Sequence, residues 1–237
     1  DLNPDRINHA RAALAMSENI DWNVGRVMNH LEKRGHLENT IVLYFTDNGP
    51  NGHRWNGGMR GIKGSTDEGG VKSPLFVHWP QGIKPRTQVT EISAAMDLLP
   101  TLASLAGVNV PTDRIIDGHD IRDLMFGDKD ARSPYDAFYY YERNQLQAVR
   151  SGPWKLFLAL QQFTKHPHFK PGASTRPLLF NVVDDEACLH DVSQQRPEIV
   201  ARLTKLAQRG REDLGDRGLV GKGQRPAGQV DRPVPLR

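Results

Sequence analysis

The stretch from Thr40 to Trp79 limits what this chain can fold into more than any other. An apolar, β-type run, Ile41-Val42-Leu43-Tyr44-Phe45, stops at Thr46-Asp47-Asn48-Gly49-Pro50. A glycine-rich loop follows, carrying His53, Arg54, Trp55, Arg60, Lys63 and the trio Glu68-Gly69-Gly70. A second apolar run, Pro74-Leu75-Phe76-Val77-His78-Trp79, closes the stretch. A run apolar at every position predicts burial on both faces, as in the parallel sheet of an α/β protein. In such sheets ligands gather outside the carboxyl ends of the strands. Asp47 and Asn48 stand at that edge, where the ladder ends and side chains are released toward a ligand.

The flanks fit the same class. Asn3 and Pro4 predict a helix start, and Gly35 after Lys33-Arg34 predicts its stop. Ile20, Val24, Val27 and Leu31 recur at helical spacing, so this stripe is expected to be core. Asp97 stands before a helix that ends near Gly107 and reads as its cap. Composition changes at Val110-Pro111-Thr112, which sets expected domains of 1–110 and 111–237. Beyond a charged loop, 113–130, come strand-like runs at 135–143, 147–160 (with a turn at Ser151-Gly152-Pro153) and 177–183, then a helix over 197–208. Strands followed by one helix predict a small α+β subdomain. Residues 211–237 read as a surface tail.

Composition narrows the function. A net charge of +3 without a basic stripe or interleaved aromatics argues against a nucleic-acid partner. No apolar run approaches the ~20 residues that span a bilayer. One cysteine, Cys188, rules out an internal disulfide; it is either a structural thiol or a nucleophile activated by His190.

The loop carries the candidate chemistry. Asp47 and Asn48 offer one charged and one neutral oxygen ligand, as a hard cation such as Ca²⁺ prefers. The dipeptide alone equally describes an Asx turn. Lys63 lies sixteen residues after Asp47, between Gly61 and Gly64, where backbone can approach a ligand and an ammonium can meet an oxyanion. His53 is open between binding an anion, protonating a leaving group and contacting a sugar. Arg54, Trp55 and Arg60 are candidates for shaping a pocket.

Taken together, Thr46-Asp47-Asn48-Gly49, Lys63-Gly64, Glu68-Gly69-Gly70, the run SPLFVHWP at 73–80 and MDLLPTLASLAG at 96–107 resemble, in order, the distal half of the type I sulfatases of the alkaline-phosphatase superfamily. The resemblance covers Asn3 to Leu105 well and the rest, including GKGQRPAG at 221–228, more loosely. It implies an α/β fold: the distal part of a sulfatase-type sandwich with a mixed sheet, plus a small α+β C-terminal subdomain. It implies a sulfuric-ester hydrolase for an aryl or carbohydrate sulfate, with Asp47 and Asn48 on Ca²⁺, Lys63 on the sulfate as catalytic and substrate-binding residue, and His53 also at the substrate. The family's nucleophile, a formylglycine made within C/S-x-P-x-R, is not encoded here, so the chain is expected to be an incomplete, inactive piece. Expected partners are a sulfated small molecule or glycan, in a periplasmic or extracellular setting. The alternatives are a phosphodiesterase or phosphonate-ester hydrolase of the same superfamily, and a non-catalytic anion-binding module.

Overall fold

Asn3 opens the first helix, α1 (Pro4–Lys33), by accepting from the Asp5 amide at 2.8 Å, and Gly35, at φ 71°, takes the left-handed turn beyond its end. The computed structural model describes residues 3–52, 54–225 and 230–234. The bounds of α1 match those that its caps predict. Its apolar stripe does not form the expected core: no residue of α1 is buried, and Ile20 and Val27 are exposed. Periodicity marks the face that a neighbour can cover; no element of the described residues closes over this one far enough to bury it.

The strands that flank the glycine loop are β1 (Val42–Phe45) and β2 (Leu75–His78). They pair antiparallel, Val42 opposite His78 and Phe45 opposite Leu75, and form a two-stranded sheet. This corrects the expectation of a parallel sheet buried on both faces: Tyr44, Phe45, Leu75 and Phe76 are all exposed. The α/β class stands. Between the strands lies α2 (Glu68–Val71), a buried helical turn where the sequence suggested a tight turn.

Asp97, read as the cap of α3 (Leu98–Leu105), makes no capping bond to it. Its carboxylate is fully buried and accepts from the Ala94 amide (2.7 Å), the His119 amide (2.8 Å) and the Tyr135 hydroxyl. Burial, then the hydrogen bond and charge of Asp97, push the Tyr135 phenol above its ordinary range and keep it a donor. Thr101, also buried, accepts from the Ile121 amide at 3.0 Å, just before α4 (Arg122–Phe126). The charged loop 113–130 is therefore tied to α3. The chain divides into two compact units, Asp1–Asp136 and Ala137–Arg237.

The second unit is an antiparallel meander, β3 (Phe138–Glu142), β4 (Gln145–Ser151), β5 (Trp154–Phe157) and β6 (Leu178–Asn181), followed by α5 (Pro197–Leu214). Val149, Leu156 and Leu179 join Leu203, Leu206 and Ala207 of α5 in one apolar cluster, and Leu146, three residues from Val149 on the same strand, reaches the same face because the β3–β4 register shifts between Ala148 and Leu146. Ala148, Phe157, Leu178 and Phe180 join Tyr140 and Cys188 in another. Cys188 is thus a core thiol. Gly210 lets α5 lie against the Tyr139 ring, which a Cβ would meet at 2.5 Å. The expected surface tail begins late: α5 runs to Leu214, and Lys222 and Gly223 bond back to the carbonyls of Glu212 and Asp213.

Two predictions follow from this packing. Asp97→Ala removes the buried acceptor shared by two amides and a phenol, and is expected to destabilise the first unit by roughly 1–3 kcal/mol. Hydrogen exchange at the Ala94 and His119 amides checks it; unchanged protection refutes it. The open faces and edges of β1–β2 and the uncovered stripe of α1 predict that the 237-residue chain on its own self-associates. Size-exclusion chromatography with light scattering tests this, and a monodisperse monomer with a sharp cooperative melt contradicts it.

Candidate active site

The carboxyl end of β1 runs into Gly49, and Gly49 runs into α2. The Gly49 amide donates to the Gly70 carbonyl at 3.0 Å, and a Cβ on Gly49 would lie 1.8 Å from the Gly69 carbonyl oxygen. No residue but glycine fits. The Gly69 amide in turn donates to the Arg60 carbonyl at 2.8 Å, and the Lys63 amide to the Pro50 carbonyl at 3.0 Å. Strand end, loop and α2 are therefore stitched by backbone bonds.

Those bonds bring three of the four candidate residues to one edge. Asp47 is exposed. Asn48 is half-buried, and its Nδ2 donates to the Gly49 carbonyl at 2.9 Å. Lys63 is exposed, and its backbone is fastened to Pro50, two residues beyond Asn48. His53, the fourth, lies outside the described residues. As a donor set, Asp47 and Asn48 suit a hard divalent cation, but two ligands do not fill a shell. Among the described residues no group of three or more His, Cys, Asp or Glu side chains comes together to hold a metal.

The structure adds supporting residues that no periodicity announced. Asn56 Nδ2 donates to the Met59 carbonyl (2.8 Å) and the Gly61 carbonyl (2.9 Å), pinning the loop across itself. Ser65 Oγ accepts from the Asp67 amide at 3.1 Å and bonds the Asp67 carboxylate at 3.1 Å. Asp67 is buried and pairs with Arg60 at 3.6 Å, a second tie across the loop. The S-x-D spacing before Glu68 was the available signal. A Ser-x-Pro run, Ser151-Gly152-Pro153-Trp154-Lys155, has Lys where C/S-x-P-x-R has Arg and forms the β4–β5 turn, where buried Ser151 accepts from Arg202 at 2.9 Å. It is a structural turn.

The fold is an α/β scaffold that carries a carboxylate, a carboxamide and an ammonium near one strand end. Comparison with known proteins gives it a family. The family model described as Sulfatase matches residues 3–108, and that described as N-sulphoglucosamine sulphohydrolase, C-terminal, matches residues 63–196. The chain is 40% identical over 171 residues to steryl-sulfatase of Mus musculus, covering 66% of this chain and 26% of that protein. It is 29% identical over 208 residues to the N-acetylgalactosamine-6-O-sulfatase of Bacteroides thetaiotaomicron, covering 80% and 40%. The solved PsFucS1 sulfatase from Pseudoalteromonas sp. superposes with a TM-score of 0.68 at 25% identity, over 81% of this chain and 40% of that one. The chain belongs to the sulfatase family. It spans about a quarter to two-fifths of the length of the relatives that it matches.

The stitching makes one test independent of chemistry. Gly49→Ala is expected to break the contact with α2 and expose residues 50–67, raising the rate of limited proteolysis in this loop at least several-fold. Wild-type cleavage kinetics would contradict it.

Proposed function

We propose that this chain supplies the metal- and sulfate-binding part of a sulfuric-ester hydrolase acting on an aryl or carbohydrate sulfate. The reading rests on one observation: the Lys63–Pro50 backbone bond holds the loop Lys next to the Asp47–Asn48 strand end, within a segment that matches sulfatases. The names of the relatives favour a sulfate ester over the phosphate and phosphonate alternatives.

Asp47 and the Asn48 amide oxygen would hold Ca²⁺ with ligands from elsewhere in the protein, and the bound cation would supply positive charge to the sulfuryl oxygens. Lys63 holds substrate charge without touching the metal, because an ammonium has no lone pair to give. Gly61 and Gly64, at φ 89° and 83°, take the left-handed turns on either side of Ile62-Lys63, and a Cβ on Gly61 would meet Asp67 at 2.7 Å. We assign His53 to the substrate as well, on the resemblance alone. The nucleophile, a formylglycine, belongs to a C/S-x-P-x-R segment that these residues do not include. The setting is extracytoplasmic. Among the described residues no helix is long and apolar enough to cross a membrane.

In the full-length enzyme, Asp47→Ala is expected to lower calcium affinity and thermal stability together, since a cation that binds only the folded state stabilises it. Lys63→Ala is expected to leave calcium affinity nearly unchanged and to cut kcat/KM by ~10²-fold, the scale of removing one preorganised oxyanion donor. Calcium calorimetry beside ester-hydrolysis kinetics decides. Loss of calcium from Lys63→Ala, or near-wild-type kinetics, refutes the division of roles, and turnover by the 237-residue chain alone refutes the proposed dependence on another segment.

A further inference from the structure

Asparagine followed by glycine is prone to lose its side-chain amide, because a residue without a Cβ lets its own amide nitrogen reach the asparagine carbonyl carbon. The chain holds three such dipeptides, Asn48-Gly49, Asn51-Gly52 and Asn56-Gly57, all in the stretch that follows β1. The fold treats them differently. At Asn48 the attacking group is engaged: the Gly49 amide donates to the Gly70 carbonyl at 3.0 Å, Gly49 is buried, and Asn48 Nδ2 donates to the Gly49 carbonyl at 2.9 Å. At Asn56 the carboxamide is engaged: its Nδ2 donates to the Met59 and Gly61 carbonyls, and a Cβ on Gly69 would lie 2.7 Å from it, so it is packed against α2. Asn51 is exposed, and Gly52 stands at φ 79°. Among the described residues neither the Asn51 carboxamide nor the Gly52 amide makes a hydrogen bond.

We propose that Asn51 is a site of spontaneous deamidation, selected by the fold over Asn48 and Asn56. The Gly52 amide nitrogen bonds to Asn51 Cγ, the Cγ–Nδ2 bond breaks, and the side-chain nitrogen leaves with the Gly52 amide proton as ammonia. Water then opens the cyclic imide. Opening at the main-chain carbonyl gives isoaspartate, opening at the side-chain carbonyl gives aspartate, and no oxidant or reductant takes part. The reaction needs a carboxamide that can turn, an amide nitrogen not held by a carbonyl, and access to water; Asn51-Gly52 provides all of these. Both products carry a carboxylate in place of the carboxamide, and isoaspartate also lengthens the main chain by a methylene. The change falls next to Pro50, whose carbonyl accepts from the Lys63 amide at 3.0 Å. The modification therefore adds negative charge where the loop that carries Lys63 closes.

The test is peptide mapping by mass spectrometry of the full-length protein aged at mildly alkaline pH, with fragmentation that separates isoaspartate from aspartate. In native protein Asn51 is expected to deamidate at least about ten-fold faster than Asn48 or Asn56, since reaction at either of those first breaks hydrogen bonds. In protein unfolded in urea the three rates are expected to converge to within about three-fold, because each asparagine then has only its glycine neighbour to set its rate. Asn51→Gln, whose longer side chain closes its ring far more slowly, is expected to leave the peptide that spans residues 48–57 unmodified in native protein over the same period. Equal rates at the three sites in native protein, faster loss at Asn48 or Asn56, or an unmodified Asn51 while the unfolded protein reacts each overturns the inference. So does a preference for Asn51 that survives unfolding, or modification of that peptide undiminished by Asn51→Gln.

Discussion

Gly49 and the Gly69–Gly70 backbone lie so close that no side chain can stand between them, and this contact sets the geometry of everything around it. It joins the end of β1 to α2 by a hydrogen bond from the Gly49 amide to the Gly70 carbonyl. Because α2 also receives the loop through the Gly69–Arg60 bond, strand end, loop and helix share one backbone network. Positions fixed by backbone bonds do not depend on which side chains fill the neighbourhood. Asp47, Asn48 and Lys63 can therefore keep their polar heads toward solvent and still be held in register.

What could be read in the sequence was what is encoded locally. The caps of α1 and the start of α5 are set by residues within a turn of the helix end, and both fall where Asn3, Gly35 and Pro197 put them. The meander was legible for the same reason: each strand is ended by a turn of its own, as at Ser151-Gly152-Pro153. Long-range facts were not legible. Asp97 finds partners 22 and 38 residues away, and nothing near it distinguishes that role from a helix cap. The direction of β1 against β2, and the exposure of both, depend on what lies across the sheet, which an apolar run cannot state.

The site divides along the same line. Asp47, Asn48 and Lys63 could be nominated from the sequence because their chemistry is in the side chain and their order along the chain resembles a family; their roles are the proposal made above. Asn56, Ser65 and Asp67 could not be, because they act on carbonyls, amides and each other. Polar residues in glycine-rich loops look alike until the backbone that they bind is known.

The two units are held by different forces, and this bears on where the chemistry sits. In Ala137–Arg237 the fully buried side chains are mainly apolar: Leu146, Val149, Leu156, Phe157, Leu179 and Leu203. In Asp1–Asp136 the buried hydrophobics among the described residues are Ile121 and Leu124, whereas Thr66, Asp67, Glu68, Asp97 and Thr101 are buried and polar. A net hydrogen bond contributes only about 1 kcal/mol, against roughly 1.5–3 kcal/mol for a fully buried aliphatic side chain. Hydrogen bonds are nonetheless directional, and a buried one that is broken costs more than its making contributes. The unit that holds Asp47, Asn48 and Lys63 is thus specified tightly and stabilised weakly. Such a balance suits a site whose polar atoms must hold fixed positions while remaining open to an anion.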